Sequence, residues 1–379
     1  MSHNVLRFSN HYHHYKKPVR DVFWIHALDS FVNALFGIFV PIYLLILGYS
    51  VSNVLGFYIV KFVALAVFFY VAGFISSRLG LKHTMIIRLP FFMIFLLSMY
   101  FLDTLSISIF IIALLNAFYE SLYWMPLHSL FVRSASEDHM GSDVGKLHSL
   151  PKLASTVAPL IGGAISVFIG FHALFIVAMV LLVFSIFPLI KSKETKPHVD
   201  FSLKEMNHIV KKNPKYFFGT GAFFIGEATE NVIWPIFVFL ILDSILSIGL
   251  IGTLLSAGMV LFTLLVGRLS DRFNKKMFIR MGAGLMVLVF FFRYFVPTEA
   301  SIYLLTIMAG FFSILLFVPF DSIIYSLAKK SNIDEFIIIR ETYVNTGRVF
   351  LLFIALILVQ NINISFLLAS FAHIFFLFF

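Results

Sequence analysis

Apolar runs about 20 residues long recur along the whole chain, and this recurrence limits it to a small set of folds. A helix needs about 20 apolar residues to cross a bilayer core roughly 30 Å thick. About twelve segments meet that length: 22–48, 53–77, 84–102, 105–131, 147–170, 173–190, 217–242, 248–266, 277–296, 301–326, 336–359 and 364–379. Backbone N–H and C=O groups in lipid must be paired inside the protein, which leaves helices or closed barrels, and runs this long select helices. The chain is 60% hydrophobic and 12% charged, against about 25% charged in an ordinary soluble domain. Too few polar residues remain to cover a water-facing surface. There is no cysteine, which excludes disulfide frameworks and thiolate sites. Residues 1–20 are polar and basic, so no secretory signal is expected and the first span serves as its own insertion signal.

Lysine and arginine set the orientation. One set of connections holds Lys16, Lys17 and Arg20; Arg78, Lys82 and Arg88; Arg133, Lys146 and Lys152; the stretch 191–215; the stretch 268–280; and Lys329, Lys330 and Arg340. The alternate connections hold almost none, with Arg293 the main exception. The basic set is expected to be cytoplasmic, with the N-terminus on that side of a plasma (inner) membrane. This asymmetry accounts for the net charge of +9 better than a nucleic-acid partner does. The expected organisation is a tail at 1–21, a first bundle at 22–190, a cytoplasmic linker at 191–215 and a second bundle at 216–379. Within the linker, Ser202 and Glu205 fit a capping box, Met206, Ile209 and Val210 follow at helical spacing, and Asn213-Pro214 ends the turn. A short helix along the membrane surface is expected there.

The two bundles repeat one another. Pro41-Ile42-Tyr43 returns as Pro235-Ile236-Phe237, 194 positions on. Gly73 to Lys82, after span two, returns at the same offset as Gly267 to Lys276, after span eight. Met125-Pro126-Leu127-His128-Ser129 returns as Val318-Pro319-Phe320-Asp321-Ser322. Ordered matches at nearly one offset imply two six-helix halves of the same topology, related by an axis along the membrane normal.

With its loop after spans two and eight, this arrangement resembles the major facilitator superfamily, whose signature there is Gly, three residues, Asp, a basic residue, any residue, Gly. The second copy keeps Gly267, Asp271, Arg272 and Lys275 but has Asn274 for the glycine; the first keeps Gly73, Arg78, Gly80 and Lys82 but has Ser77 for the aspartate. The resemblance implies an all-α fold of about twelve transmembrane helices in two pseudo-symmetric bundles. It also implies loops that pin neighbouring helices in the outward-facing state, secondary transport by alternating access, and action as a monomer without a cofactor. In span five, Ala154 to Gly163 resembles the antiporter motif of drug/proton exporters of that superfamily, with Ala158, Pro159, Gly162 and Gly163 in the motif positions and alanine twice replacing glycine. Small residues at this spacing also serve close helix packing. The mid-membrane arginine usual in span four of such exporters is absent between Leu105 and Val132.

Ionisable residues at membrane depth face cavities or partners. Asp29 lies with His26 and Asn33 on one face of span one, and Glu120 with Asn116, Tyr123 and Trp124 on one face of span four. Glu227 and Glu230 sit a turn apart in span seven, with Asn231 beside them and Trp234 a turn further. Lys61 stands in span two, and Arg348 forms a stripe with Asn345 and Glu341 in span eleven. At 1.5 Å per residue, Glu120, Glu227 and Glu230 fall roughly 15–20 Å into the membrane, the depth at which transporters bind substrate and ion. Adjacent carboxylates in low dielectric do not both stay ionised easily, which nominates Glu227 and Glu230 as proton carriers. The structural alternative is an ion pair with Lys61 or Arg348; for Asp29 it is a bond to His26 or Asn33.

The histidines His11, His13 and His14 lack a second ligand cluster, so no metal site is expected. Gly141 to Lys146 misses the phosphate-loop spacing and has Leu147 where a hydroxyl is needed. Without a nucleotide signature an ATP-driven pump is disfavoured. The sequence thus predicts a non-enzymatic, proton-coupled exporter of a small, partly hydrophobic solute. The alternatives are a proton-coupled uptake symporter for a nutrient or metabolite, and a non-transporting sensor on the same scaffold.

Overall fold

The computed structural model describes residues 17–185, 194–197, 202–296 and 298–379, and every regular element among them is helical. His11, His13 and His14 lie outside these residues. Among the described residues, nine helices are long and apolar enough to cross a membrane: His26–Ile46, Val51–Leu79, Leu81–Tyr100, Ile109–Ser134, Met140–Phe168, Pro214–Leu242, Ile245–Arg272, Lys275–Tyr294 and Glu299–Lys329. They occupy the places of spans one to five and seven to ten. The shorter apolar helices Phe171–Phe184 and Ile364–Phe378 fill the places of spans six and twelve. Ile333–Ile357 fills that of span eleven; its charged residues Asp334, Glu335, Arg340, Glu341 and Arg348 set it apart from the apolar helices. The fold is thus an all-α membrane bundle of two related six-helix halves.

Span five differs most from its expected limits. Its helix starts at Met140, not near 147, and so takes Lys146 out of the expected connection and into the helix. Three prolines follow an interruption of the regular backbone, because a proline removes a hydrogen bond and crowds the preceding turn, whereas the repeated Pro126 and Pro319 sit inside continuous helices. Span one tightens to a 3₁₀ turn at Gly37–Phe39 just before Pro41, and span seven widens to a π turn at Thr229–Ile233 just before Pro235. Span five breaks between Met140–Ser155 and Ala158–Phe168, just before Pro159.

Two seams join the halves: span five runs along span eight, and span two along span eleven. Glycines make the first seam a backbone contact at both ends. A Cβ on Gly267 would lie 2.8 Å from the Gly141 carbonyl oxygen, and one on Gly249 would lie 2.7 Å from that of Pro159. Neither position has room for a side chain, the small-residue packing expected of membrane helices. Gly162 presses in the same way on the backbone of Leu35, tying span five to span one. On the outside, Phe168, Ile169, Phe371 and Phe378 are each more than 70% exposed, a surface suited to lipid rather than water.

The linker forms the helix Leu203–Lys212, with Ser202 Oγ accepting from the Glu205 amide at 3.3 Å, and Asn213 ends it. Met206 and Ile209 are buried, and the helix packs against span eleven, leaving Lys204, Lys211 and Lys212 exposed.

Candidate functional site

The membrane carboxylates fall into two groups, sealed and open. Asp29 of span one is sealed. It binds the guanidinium of Arg88 from span three and accepts from Asn33 Nδ2 at 2.9 Å, while Arg88 lies 4.0 Å over the Tyr123 ring. Tyr123 in turn is hydrogen-bonded to His26 Nδ1 at 2.8 Å. Glu230 is sealed in the other half. Arg293 Nη1 of span nine donates to it at 2.6 Å and sits 4.0 Å over Trp234, whose Nε1 donates to Thr306 at 2.9 Å. Each sealed site is an arginine between a carboxylate and an aromatic face, an arrangement suited to buried guanidinium.

The open group comprises two ion pairs, one in each half. Lys61 Nζ of span two meets Glu120 of span four at 2.9 Å, and Arg348 Nε of span eleven meets Glu227 of span seven at 2.9 Å. Their side chains keep 11–28% exposure, whereas those of Asp29, Arg88, Glu230 and Arg293 keep 8% or less. The pairs meet through one ring: Lys61 lies 5.4 Å and Arg348 4.9 Å from the centre of Phe62. Asn231 donates to Glu227 at 2.8 Å and is itself exposed.

Toward the basic face a hydrogen-bonded layer ties the halves together. Its centre is the repeated Pro-x-His/Asp-Ser turn. His128 Nδ1 bonds Tyr325 of span ten at 2.7 Å, and Asp321 meets His148 of span five at 3.2 Å and Arg340 at 2.9 Å. Arg340 also binds Glu341, which lies 3.6 Å from His128. Beyond them, Asp334 at the start of span eleven binds Ser129 and Arg133 of span four. Trp124, partly exposed, stacks on His128 at 5.3 Å.

The two loop motifs work differently. Asp271 accepts from the amides of Gly141 and Ser142, at 2.8 and 2.7 Å, and so caps span five from the other half. Lys275 stands 3.9 Å from the same carboxylate. The segment that superficially matched a phosphate loop is therefore a helix start held by a carboxylate. In the first copy Ser77 bonds only its own helix, at Phe74 O, and Arg78 stacks on Phe74. Gly80 turns there at φ +98°, and the linker residue Glu194 caps span three by accepting from the amides of Lys82 and His83 at 3.1 Å.

Several expectations change on this geometry. Glu227 and Glu230 do not share one site, because each takes its own arginine from a different helix. Tyr123 and Trp234 are buried, each packed under an arginine. Arg88 and Arg340, counted with the basic connections, are buried ion-pair partners, and the exception Arg293 is the partner of Glu230. His148, Asp321 and Tyr325 are members of the hydrogen-bonded layer that were not among the site residues expected from the sequence. The repeat was the available signal, since it aligns Asp321 with His128 in a conspicuous Pro-containing turn. In span five, Gly162 and Gly163 are close-contact positions against spans one and eight.

A twelve-helix membrane bundle with charged groups gathered where two related halves meet defines the class of secondary transporters. The particular family follows: residues 22–226 and 216–379 each match the Major Facilitator Superfamily, and the chain belongs to it. Solved structures of like fold include the Escherichia coli fucose:proton symporter FucP, at TM-score 0.70 and 13% identity over 96% of this chain and 98% of that one. The human organic anion transporter TETRAN matches at 0.69 and 11% over 95% and 98%. The nucleoside transporter NupG matches at 0.69 and 13% over 95% and 98%. At such identities the likeness is one of fold. A comparison with curated protein sequences finds no match.

Proposed function

We propose that this chain is a proton-coupled secondary active transporter that carries a small, partly hydrophobic solute between its two halves by alternating access. The observation that carries the reading is the pair of part-exposed ion pairs, Lys61–Glu120 and Glu227–Arg348, meeting at Phe62. An ion pair left at membrane depth is costly unless it serves binding or coupling. Glu120 and Glu227 are the proton carriers in this reading, and Lys61, Arg348, Asn231 and Trp124 line the solute path. Asp29, Asn33 and Glu230 hold the bundles together. The basic face is cytoplasmic, in the plasma membrane, with the chain acting as a monomer.

Of the two directions the sequence leaves open, uptake by symport fits the pairing better than export. Protonating Glu227 releases Arg348 to accept a polar group of the solute, so proton and solute load together. An exporter needs the opposite, a proton that displaces the solute. The test uses proteoliposomes with an imposed pH gradient, an internal pH dye and a solute panel. Solute and proton are expected to enter together with an inward gradient, and Glu227→Gln and Glu120→Gln to abolish the coupled signal. Unchanged pH-driven flux in both variants rules the carriers out, and solute driven against the proton gradient restores the exporter reading.

A further inference from the structure

We infer that the connection between the halves is a strap, anchored on the first half by Glu194, that limits how far the basic face can open. This rests on the reading that the halves part at that face.

The loop after span two lacks the carboxylate that Asp271 gives the loop after span eight, and Ser77 in its place bonds only Phe74 O of its own helix. Glu194 brings a carboxylate to that loop from the linker. It accepts from the amides of Lys82 and His83, each at 3.1 Å, and bonds the His83 ring. The neighbouring Thr195 carbonyl accepts from the Leu81 amide at 2.9 Å. Together they take the first three amides of the helix Leu81–Tyr100, which have no partner inside that helix. A negative charge there also sits at the favourable end of the helix dipole. Gly80 makes the seat possible. Its φ is +98°, and a Cβ on it would collide with the Glu194 carboxylate. Pro197, two residues beyond Thr195, is buried.

The other end of the connection is fixed to the second half. Met206 and Ile209 of the helix Leu203–Lys212 are buried in one cluster with Phe217 of span seven and Phe336 of span eleven. The strap thus runs from span three of one half to span eleven of the other, and parting the halves must draw on its length. Covalent geometry sets that length. The five peptide steps from Pro197 to Ser202 reach at most about 18 Å. With the Glu194 seat empty, slack would run from Ser185 at the end of span six, and seventeen steps reach about 60 Å. Seating one carboxylate therefore removes more than half of the free connection.

Ser149→Cys gives the chain, which has no cysteine, a single reporter buried beside His148 of the layer that joins the halves. Its labelling by a maleimide in the full-length protein reads opening of the basic face. Glu194→Ala is expected to speed labelling by about fivefold or more, the effect of losing two charge-assisted hydrogen bonds that hold the closed form. A flexible stretch of about eight Gly and Ser residues inserted between Val199 and Asp200 leaves Glu194 in place and lengthens the strap. It should speed labelling to the same degree, and the two changes together should add little to either alone, because each supplies the same slack. Should Glu194→Ala fail to fold, the insertion decides. An insertion without effect overturns the strap and leaves Glu194 as a local cap of span three; Glu194→Ala without effect overturns it as well. Asp271→Asn with the same reporter tells this failure from failure of the opening itself. It still speeds labelling if only the strap is wrong, and does not if the face stays shut.

Discussion

At the scale of single residues, the chain uses one chemical device for two ends. A carboxylate, a cation and an aromatic ring recur in each half, but burial separates the copies by role. Where the ring covers an arginine completely, as with Arg88 and Arg293, the pair fastens helices. Where the ring is shared across the halves, as with Phe62, the pair remains reachable. Breaking a sealed pair from one side strands a buried charge, at about 3–5 kcal/mol. Arg88→Met should therefore lower the melting temperature of the detergent-solubilised protein sharply. The double variant Arg88→Met with Asp29→Leu should recover most of the loss. Equal melting of the single and double variants would show that the pair adds nothing. These partnerships were not legible in the sequence, because Arg88 and Asp29 are 59 positions apart. Counting positive charge by loop assigns Arg88 to a connection; only helix packing shows that it points inward.

At the scale of elements, the helix ends carry the latches. Asp271 holds the first free amides of span five with two charge-assisted hydrogen bonds, which also sit favourably in the helix dipole. Asp271→Asn keeps the shape and removes the charge, weakening the latch by about 1–2 kcal/mol, a shift of roughly tenfold in the balance of open and closed forms. Cysteines introduced under the layer at the basic face should then label faster, and unchanged labelling would mean that the glycine seam alone holds this edge. The sequence foretold this element in part. The motif around Asp271 marked the loop, and the repeat marked its counterpart, but the partner helix start at Gly141 was placed some residues too late. The cause is physical. The first turns of span five are polar, with Ser142, Asp143 and Lys146, so a hydropathy reading leaves them in the loop. Span eleven is obscured for the same reason, since its charges are buried against neighbours rather than solvated.

At the scale of the whole molecule, the fold was the most legible level of all, because apolar run length and a fixed repeat offset depend on no tertiary partner. The layer formed by Ser129, Asp334, His128, Tyr325, Asp321 and His148 joins the halves at the basic face, so opening that face must break it. The native chain has no cysteine, which makes a covalent test clean. Ser129→Cys with Asp334→Cys should cross-link under mild oxidation and stop solute flux, and a reductant should restore it. Flux that survives full cross-linking would exclude opening along this layer.

The glycine contacts of spans five and eight have a mechanical consequence. Gly267 meets Gly141 and Gly145 near one end, Gly249 meets Pro159 and Gly163 toward the other, and span five is broken at Thr156–Val157 between them. A helix pair that touches at two stations with a soft joint in the middle behaves as a see-saw. Prising one station apart leaves the other as the bearing on which the load turns, so the pair tips without ever parting.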